Sequence, residues 1–156
     1  MILTTHALTG AVIGKYVKDP WLVVLISLVV HYAMDSIRHA EYFDDRIAKL
    51  KDTWWKVALD LLIPFSIIYF YIFSSQLDYK TAENIILGSF FSVLPDGLTL
   101  VYWFSGKKYF VRIKEFHSWA HRYNKCPKHS PERQWSLRNA TNDIIISAVA
   151  VLLLFL

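Results

Sequence analysis

The chain has 156 residues, of which 54% are hydrophobic and 19% are charged, with a formal net charge of +4. Its length suits one domain, and its apolar residues come in long blocks rather than in a stripe of helical period, which argues against a water-soluble globular protein. The one cysteine, Cys126, excludes an internal disulfide. We do not interpret the first residues as a signal peptide, because they lack its basic region. From the length, we expect residues 1–156 to form a single membrane-embedded domain.

Five apolar segments follow one another along the chain. They are residues 2–17, 21–37, 54–73, 82–104 and 140–156. A hydrocarbon core needs about 20 helical residues, so the third and fourth segments are long enough to span it and the other three are marginal. Pro64 and Pro95 lie inside these two long segments and predict a kink in each. The predicted fold is therefore all-α, a polytopic membrane helical bundle with four or five membrane-embedded helices.

The first segment carries Gly10 and Gly14, a G-x-x-x-G spacing that lets a second helix approach closely. Lys and Arg are distributed unevenly between the links. Apart from Lys15, Lys18 and Lys80, all of them lie between the second and third segments, at the start of the third (Lys56), or between the fourth and fifth. The positive-inside rule then predicts a multi-pass protein of the cell (inner) membrane, with the N-terminus cytoplasmic and the C-terminus outside.

Both basic links contain amphipathic stretches, residues 41–52 and 107–123. Amphipathic helices of this kind lie in the membrane interface, where their cations favour anionic lipid headgroups. Membrane lipids are thus expected partners, nucleic acid is not expected, and the oligomeric state is left open. The alternative is that both stretches form solvated connecting helices.

Ionisable residues inside the apolar segments all fall near one predicted end of the bundle. His31, Asp35 and His39 recur at i, i+4 and i+8, which places them on one helix face. His117 and His121 repeat the i, i+4 spacing in the second basic link. The others are His6, Asp60, Asp96 and Asp143. Because a charged side chain at the bilayer centre costs at least ~2.5 kcal/mol, this convergence predicts either a functional site or an internal polar network.

Imidazole and carboxylate groups together suit a divalent metal ion, with Zn preferred and Mn or Fe as alternatives. The expected ligands are His6, His31, Asp35, His39, Asp96, His117 and His121. This number of ligands allows one or two ions, and one carboxylate, Asp35 or Asp96, is the expected general base. Taken singly, His6 could instead be interfacial and Asp96 could instead be a helix-end carboxylate. Asp60 and Asp143 are weaker candidates, as ligands or as groups that orient a ligating imidazole.

Other catalytic motifs are missing from the sequence. It has no G-x-S-x-G, no paired Cys motif and no phosphate-binding Gly loop, and the Cys126-x-x-His129 pair has no second pair to complete a zinc site. Basic residues near the expected site could bind a phosphate; these are Arg38, Lys107, Lys108 and Arg122. A metal site at the membrane surface predicts a lipid headgroup or other phosphoester as substrate.

Four motifs in order resemble a known family. They are Thr-His6-Ala-x-x-Gly10, His31-Tyr-x-x-Asp35-x-x-x-His39, Leu94-Pro95-Asp96 and Phe116-His117-x-x-x-His121. This order resembles the YdjM-type (LexA-regulated) membrane-bound metal-dependent hydrolases, and the H-x-x-x-D element is distantly similar to zinc-dependent phospholipase C. The resemblance implies a helical membrane protein whose metal site is built from these His and Asp residues, with hydrolase activity.

Two other functions are consistent with the sequence. The first is a metal sensor, metal carrier or b-type haem protein that uses the paired imidazoles for binding alone. The second is a structural membrane scaffold in which the His and Asp residues hold the helices together.

Overall fold

The computed structural model describes residues 2–39, 50–121 and 136–156, with side chains in the second range from residue 54. These ranges contain six α-helices and no strand, which confirms the predicted all-α fold. The helices are α1 (Leu3–Tyr16), α2 (Pro20–Asp35), α3 (Leu50–Ser74), α4 (Tyr79–Phe104), α5 (Val111–Ala120) and α6 (Leu137–Phe155).

Three of the described helices are long and apolar enough to cross a membrane: α3 from Trp54, α4 and α6. The α2 helix is shorter but also apolar. Large apolar side chains remain exposed on the outer faces, for example Leu62 and Phe70 on α3 and Phe90 on α4. Exposed apolar surface on helices of this length is the pattern of a membrane helical bundle, in which lipid covers these side chains.

Local sequence signals set several helix ends. Asp19 precedes Pro20, and its carboxylate accepts hydrogen bonds from the N–H groups of Trp21 and Leu22, which caps α2. Asp78 caps α4 in the same way, and its hydrogen bonds with the side chain and backbone of Thr81 lower the pKa of its carboxyl group.

The predicted amphipathic stretches have different outcomes. Of the described residues 107–121, only Val111–Ala120 form a helix, because Lys107 and Phe110 take positive φ values of 68° and 60° and interrupt it. Residues 41–49 lie outside the described residues, and residues 50–52 begin α3. The helices α3 and α4 continue past Pro64 and Pro95, so the predicted kinks stay a prediction.

The short helix α1 lies at the centre of the bundle. It packs against α2, α3, α4 and α6, and most of its side chains are buried. At Gly10 and Gly14 its backbone meets the backbone of α4 at Gly88 and Asn84, so closely that a Cβ at either glycine would overlap it. The close approach predicted from the G-x-x-x-G spacing is therefore confirmed.

Two aspartates from other helices cap the N-terminus of α1. Asp60 of α3 accepts hydrogen bonds from the N–H groups of Leu3 (2.7 Å) and Thr4 (3.0 Å) and from the Thr4 hydroxyl. Asp143 of α6 accepts one from the N–H of Ile2 (3.2 Å). The first N–H groups of a helix have no partner within it, and leaving them unsatisfied in an apolar environment is costly. This contact gives a structural reason for both carboxylates, which the sequence offered only as candidate ligands or orienting groups.

Polar side chains also bond to backbone carbonyl groups near the C-terminal end of α1. The side-chain amide of Asn84 donates to the carbonyls of Val17 and Lys18, which fixes the turn between α1 and α2. Lys15 donates to the carbonyls of Leu153 and Leu154 at the end of α6. Because α1 is held at both ends, its position relative to α2, α4 and α6 is well defined.

Candidate metal centre

Four helices bring histidine and aspartate side chains together at one end of the bundle. Asp35, at the end of α2, is fully buried and lies at the centre of the group. Its Oδ2 lies 3.0 Å from Nε2 of His31 and 3.0 Å from Nε2 of His117, and its Oδ1 lies 3.1 Å from Nε2 of His6. One carboxylate thus contacts imidazoles from α1, α2 and α5.

The tautomer of His31 follows from its second ring nitrogen. Its Nδ1 lies 2.7 Å from the backbone carbonyl of Ser92 on α4. A carbonyl oxygen only accepts, so Nδ1 carries the hydrogen and donates it. In the neutral ring, Nε2 then presents a lone pair towards Asp35 and His117, which is the form of imidazole that binds a metal ion.

A hydroxyl group orients His117 in the same way. The Thr99 hydroxyl donates to the carbonyl of Pro95, one turn earlier on α4, at 3.0 Å. Its oxygen lies 2.8 Å from Nδ1 of His117 and accepts the Nδ1 hydrogen. In the neutral ring, the Nε2 of His117 is therefore also left with a lone pair, and it lies 3.3 Å from Nε2 of His31. Two facing acceptors at this distance repel each other unless a cation or a proton lies between them.

The separations between these atoms match a small coordination sphere. Asp96 of α4 adds its Oδ1 at 3.4 Å from Nε2 of His117. The group His31, Asp35, Asp96 and His117 thus offers ligand atoms that all lie within 4.8 Å of one another, and four of the contacts among them measure 3.0 to 3.4 Å. Tetrahedral ligands at about 2.0–2.1 Å from Zn²⁺ lie about 3.3 Å apart. This group of His and Asp residues could therefore hold a metal ion.

A second group of ligand atoms shares Asp35 with the first. It consists of Asp35, His39 and His121, again within 4.8 Å of one another. His39 is buried, and its Nδ1 donates to the carbonyl of Ile37 at 2.7 Å, while the side-chain amide of Asn142 on α6 donates to the carbonyl of Arg38. The Nε2 of His121 lies 3.2 Å from Oδ2 of Asp35 and 3.1 Å from Nε2 of His117. These hydrogen bonds hold the segment after α2 in a position in which His39 faces the end of α5.

The structure brings all seven predicted site residues together: His6, His31, Asp35, His39, Asp96, His117 and His121. That each of them is a metal ligand stays a prediction. Asp60 and Asp143 contact the N-terminus of α1 instead. Cys126, His129 and Arg122 lie outside the described residues. Lys107 and Lys108 are exposed, and the ammonium group of Lys107 lies over the ring of Trp103, 5.0 Å from its centre.

Sequence reasoning missed two residues that orient the imidazoles. Ser92 contributes its backbone carbonyl and Thr99 its hydroxyl. Both share one face of α4 with Asp96, since residues 92, 96 and 99 are spaced i, i+4 and i+7. That spacing of polar residues within an apolar segment was the signal that could have identified them.

Comparison with known proteins adds no relative: no family profile, no curated protein and no solved structure matches this chain. The fold and the site define the protein as a helical membrane protein with a His/Asp group that could hold a metal ion.

Proposed function

We propose that this protein is a membrane-bound metal-dependent hydrolase of the YdjM type, acting on a phosphoester or lipid-linked substrate. The proposal depends mainly on the Nε2 atoms of His31 and His117, which lie 3.3 Å apart. The Nδ1 hydrogens of these two rings are donated to the Ser92 carbonyl and the Thr99 hydroxyl. Asp35 and Asp96 supply negative charge beside them. A divalent cation satisfies both lone pairs and both carboxylates at once.

The two carboxylates differ in exposure, and this separates their roles. Asp35 is fully buried among imidazoles and serves to hold the centre together. The side chain of Asp96 is 18% exposed, and its Oδ2 has no hydrogen-bond partner among the described residues. When one ion is bound, Asp96 is therefore the better placed general base for a water molecule entering the site, because its Oδ2 is then not used as a ligand. A divalent ion bound there would polarise a phosphoryl oxygen and lower the pKa of a coordinated water.

Mixed imidazole and carboxylate ligands favour Zn²⁺, with Mn²⁺ and Fe²⁺ as alternatives. We place the metal end of the bundle, with both basic links, on the cytoplasmic side of the inner membrane, so that the N-terminus is cytoplasmic and the C-terminus outside. The substrate is then a molecule that reaches the cytoplasmic membrane surface, either a lipid with a phosphate headgroup or a lipid-linked phosphate. Labelling of single cysteines in intact and permeabilised cells, in a background without Cys126, tests this orientation.

The first experiment is elemental analysis of detergent-purified protein, wild type against His31→Ala, followed by a screen of phosphodiester and phospholipid substrates. We expect bound Zn, Mn or Fe that is lost in the variant, together with metal-dependent release of phosphate or alcohol. Glu83→Gln is the matched control, because Glu83 is an exposed carboxylate near the opposite end of α4. Absence of metal after reconstitution would contradict the proposal and favour a polar network that only holds the helices together.

A metal-binding protein without hydrolase activity is the second candidate. Burial favours it, since His6, His31 and Asp35 are fully buried and only Asp96 and His121 are partly exposed. Bound metal without turnover of any phosphoester would select this candidate. Haem is a poorer fit, because its axial imidazoles lie on opposite faces of the macrocycle, whereas His31 and His117 are in direct contact.

A further inference from the structure

The carboxylates of Asp35 and Asp96 each direct their two oxygens to different imidazoles. Oδ2 of Asp35 and Oδ1 of Asp96 both contact Nε2 of His117, at 3.0 Å and 3.4 Å. The remaining oxygens, Oδ1 of Asp35 and Oδ2 of Asp96, both face Nε2 of His6, at 3.1 Å and 3.9 Å. Each carboxylate therefore has one oxygen near Nε2 of His117 and the other near Nε2 of His6.

A hydrogen bond between His6 and Asp35 would leave an oxygen of Asp96 unsatisfied. If its Nε2 carries a hydrogen, that hydrogen satisfies Oδ1 of Asp35 at 3.1 Å. At 3.9 Å, Oδ2 of Asp96 is beyond hydrogen-bond distance and is left as a buried acceptor without a partner among the described residues. A cation between the three atoms would satisfy both oxygens, and His6 is itself fully buried, so water does not compete freely for the position.

We infer that the site is a two-ion centre in which Asp35 and Asp96 bridge the ions. The first ion is held by His31, His117, Oδ2 of Asp35 and Oδ1 of Asp96, and the second by His6 and the other two carboxylate oxygens. The inference rests on the metal centre of the proposed function and not on its hydrolase activity. Three protein ligands leave the second position open to a further ligand, whereas four ligands complete the first.

The alternative second position, formed by Asp35, His39 and His121, is less suitable. The Nε2 of His121 faces Oδ2 of Asp35 and Nε2 of His117, which are the atoms that the first ion already uses. His6 instead faces oxygens that the first ion leaves unused. His121 is accordingly a ligand that could replace one of the four at the first ion, not a ligand of the second.

The charge of such a centre indicates its substrate. Two carboxylates neutralise only half of the charge of two divalent ions, so the filled centre is cationic and attracts an anion. Two ions about 3.5–4 Å apart are the arrangement that stabilises both the attacking and the leaving oxygen of a phosphoester. The bridged centre therefore deepens the proposed function by favouring a phosphoester over an uncharged ester or amide.

The test combines metal stoichiometry with electron paramagnetic resonance of the Mn²⁺-loaded full-length protein in detergent. We expect two equivalents per chain in the wild type, with the spectrum of an exchange-coupled pair. His6→Asn, which keeps a polar side chain of smaller size, should retain one equivalent and give the spectrum of isolated Mn²⁺. Glu83→Gln should retain both ions and the coupling, and melting temperatures should show that each variant is folded.

The outcomes separate this inference from the proposed function. One equivalent in the wild type, retained unchanged in His6→Asn, would overturn the two-ion centre and leave a single-ion hydrolase in place. Two equivalents of metal in His6→Asn but only one in His39→Ala would overturn it, and would place the second ion between Asp35, His39 and His121 instead. No bound metal in any sample would overturn the proposed function as well.

Discussion

The hydroxyl oxygen of Thr99 lies 2.8 Å from Nδ1 of His117, while its hydrogen is donated to the carbonyl of Pro95. This contact joins α4 to α5 and determines which nitrogen of His117 faces Asp35 and Asp96. Since Thr99 follows Asp96 by three residues, one face of α4 supplies both a carboxylate and the group that orients the imidazole beside it. A hydroxyl at this position therefore affects metal binding without touching the metal.

Replacing that hydroxyl should weaken the site. In Thr99→Val the ring of His117 loses its acceptor at Nδ1, and we expect metal affinity to fall by about 10- to 100-fold. Thr99→Ser keeps the hydroxyl and should remain near wild type. Thr141→Val is a matched control, because Thr141 is exposed and its hydroxyl donates to the Leu137 carbonyl of its own helix, with no other partner in the part of the chain that the structure describes. Competition with a chromophoric chelator measures the affinities, and equal affinity in Thr99→Val and wild type would contradict the prediction.

Removing the carboxylate of Asp60 should destabilise the bundle. Asp60→Ala leaves the N–H groups of Leu3 and Thr4 without their acceptor at the end of a buried helix. Each lost hydrogen bond is expected to cost about 1–3 kcal/mol. Asp60→Asn keeps one acceptor oxygen and should cost less. Unfolding in mixed micelles with increasing amounts of a denaturing detergent measures the free energy of unfolding of each variant, and Glu83→Gln is the control. An unchanged free energy of unfolding in Asp60→Ala would show that the Asp60 cap does not stabilise the bundle.

Two glycine substitutions should have opposite effects. A Cβ at Gly10 would overlap the backbone of α4 at Gly88, so Gly10→Ala must push the helices apart, at an expected cost of about 1–3 kcal/mol. Gly97 lies within α4 with no heavy atom near the position of a Cβ. Gly97→Ala should therefore be neutral or stabilise by about 0.5–1 kcal/mol, because alanine favours the helix. The same detergent unfolding measures both, and equal effects would contradict the close contact between α1 and α4.

The outer face of α5 should lie at the membrane surface. Trp119 is 69% exposed and Phe116 49%, and exposed Arg112 lies on the same side of the helix. Aromatic and basic side chains together favour the interface of an anionic bilayer. A spin label at residue 119 should be accessible to oxygen, with residue 62 on α3 as the reference inside the bilayer and residue 83, at the opposite end of α4, as a second exposed position. These labels require a Cys126→Ser background. Full water accessibility at residue 119 would support the alternative of a solvated connecting helix.

The helices themselves were largely predictable from the sequence. The apolar segments predicted at residues 54–73 and 82–104 appear as Leu50–Ser74 and Tyr79–Phe104, because long apolar runs need a helix to satisfy their backbone groups in lipid. The end of α2 was predicted less well: residues 36–39 leave the helix, and His39 reaches the site from the segment after it, not from the helix face shared with His31 and Asp35. The helix start at Val111 was also missed, since positive φ at Phe110 has no sequence signal comparable to Gly or Asn.

Spacing and hydropathy, which can be read from the amino-acid order, were enough to predict the apolar helices and the gathering of ionisable residues at one end. The partner of each ionisable residue could be known only after the helices were packed together. Asp60 and Asp35 are both aspartates within apolar segments, yet Asp60 meets the free N–H groups of α1 while Asp35 meets imidazoles from three helices. The physical reason is that a buried carboxylate must find hydrogen donors or cations, and which of these lies within about 3 Å depends on how the helices pack.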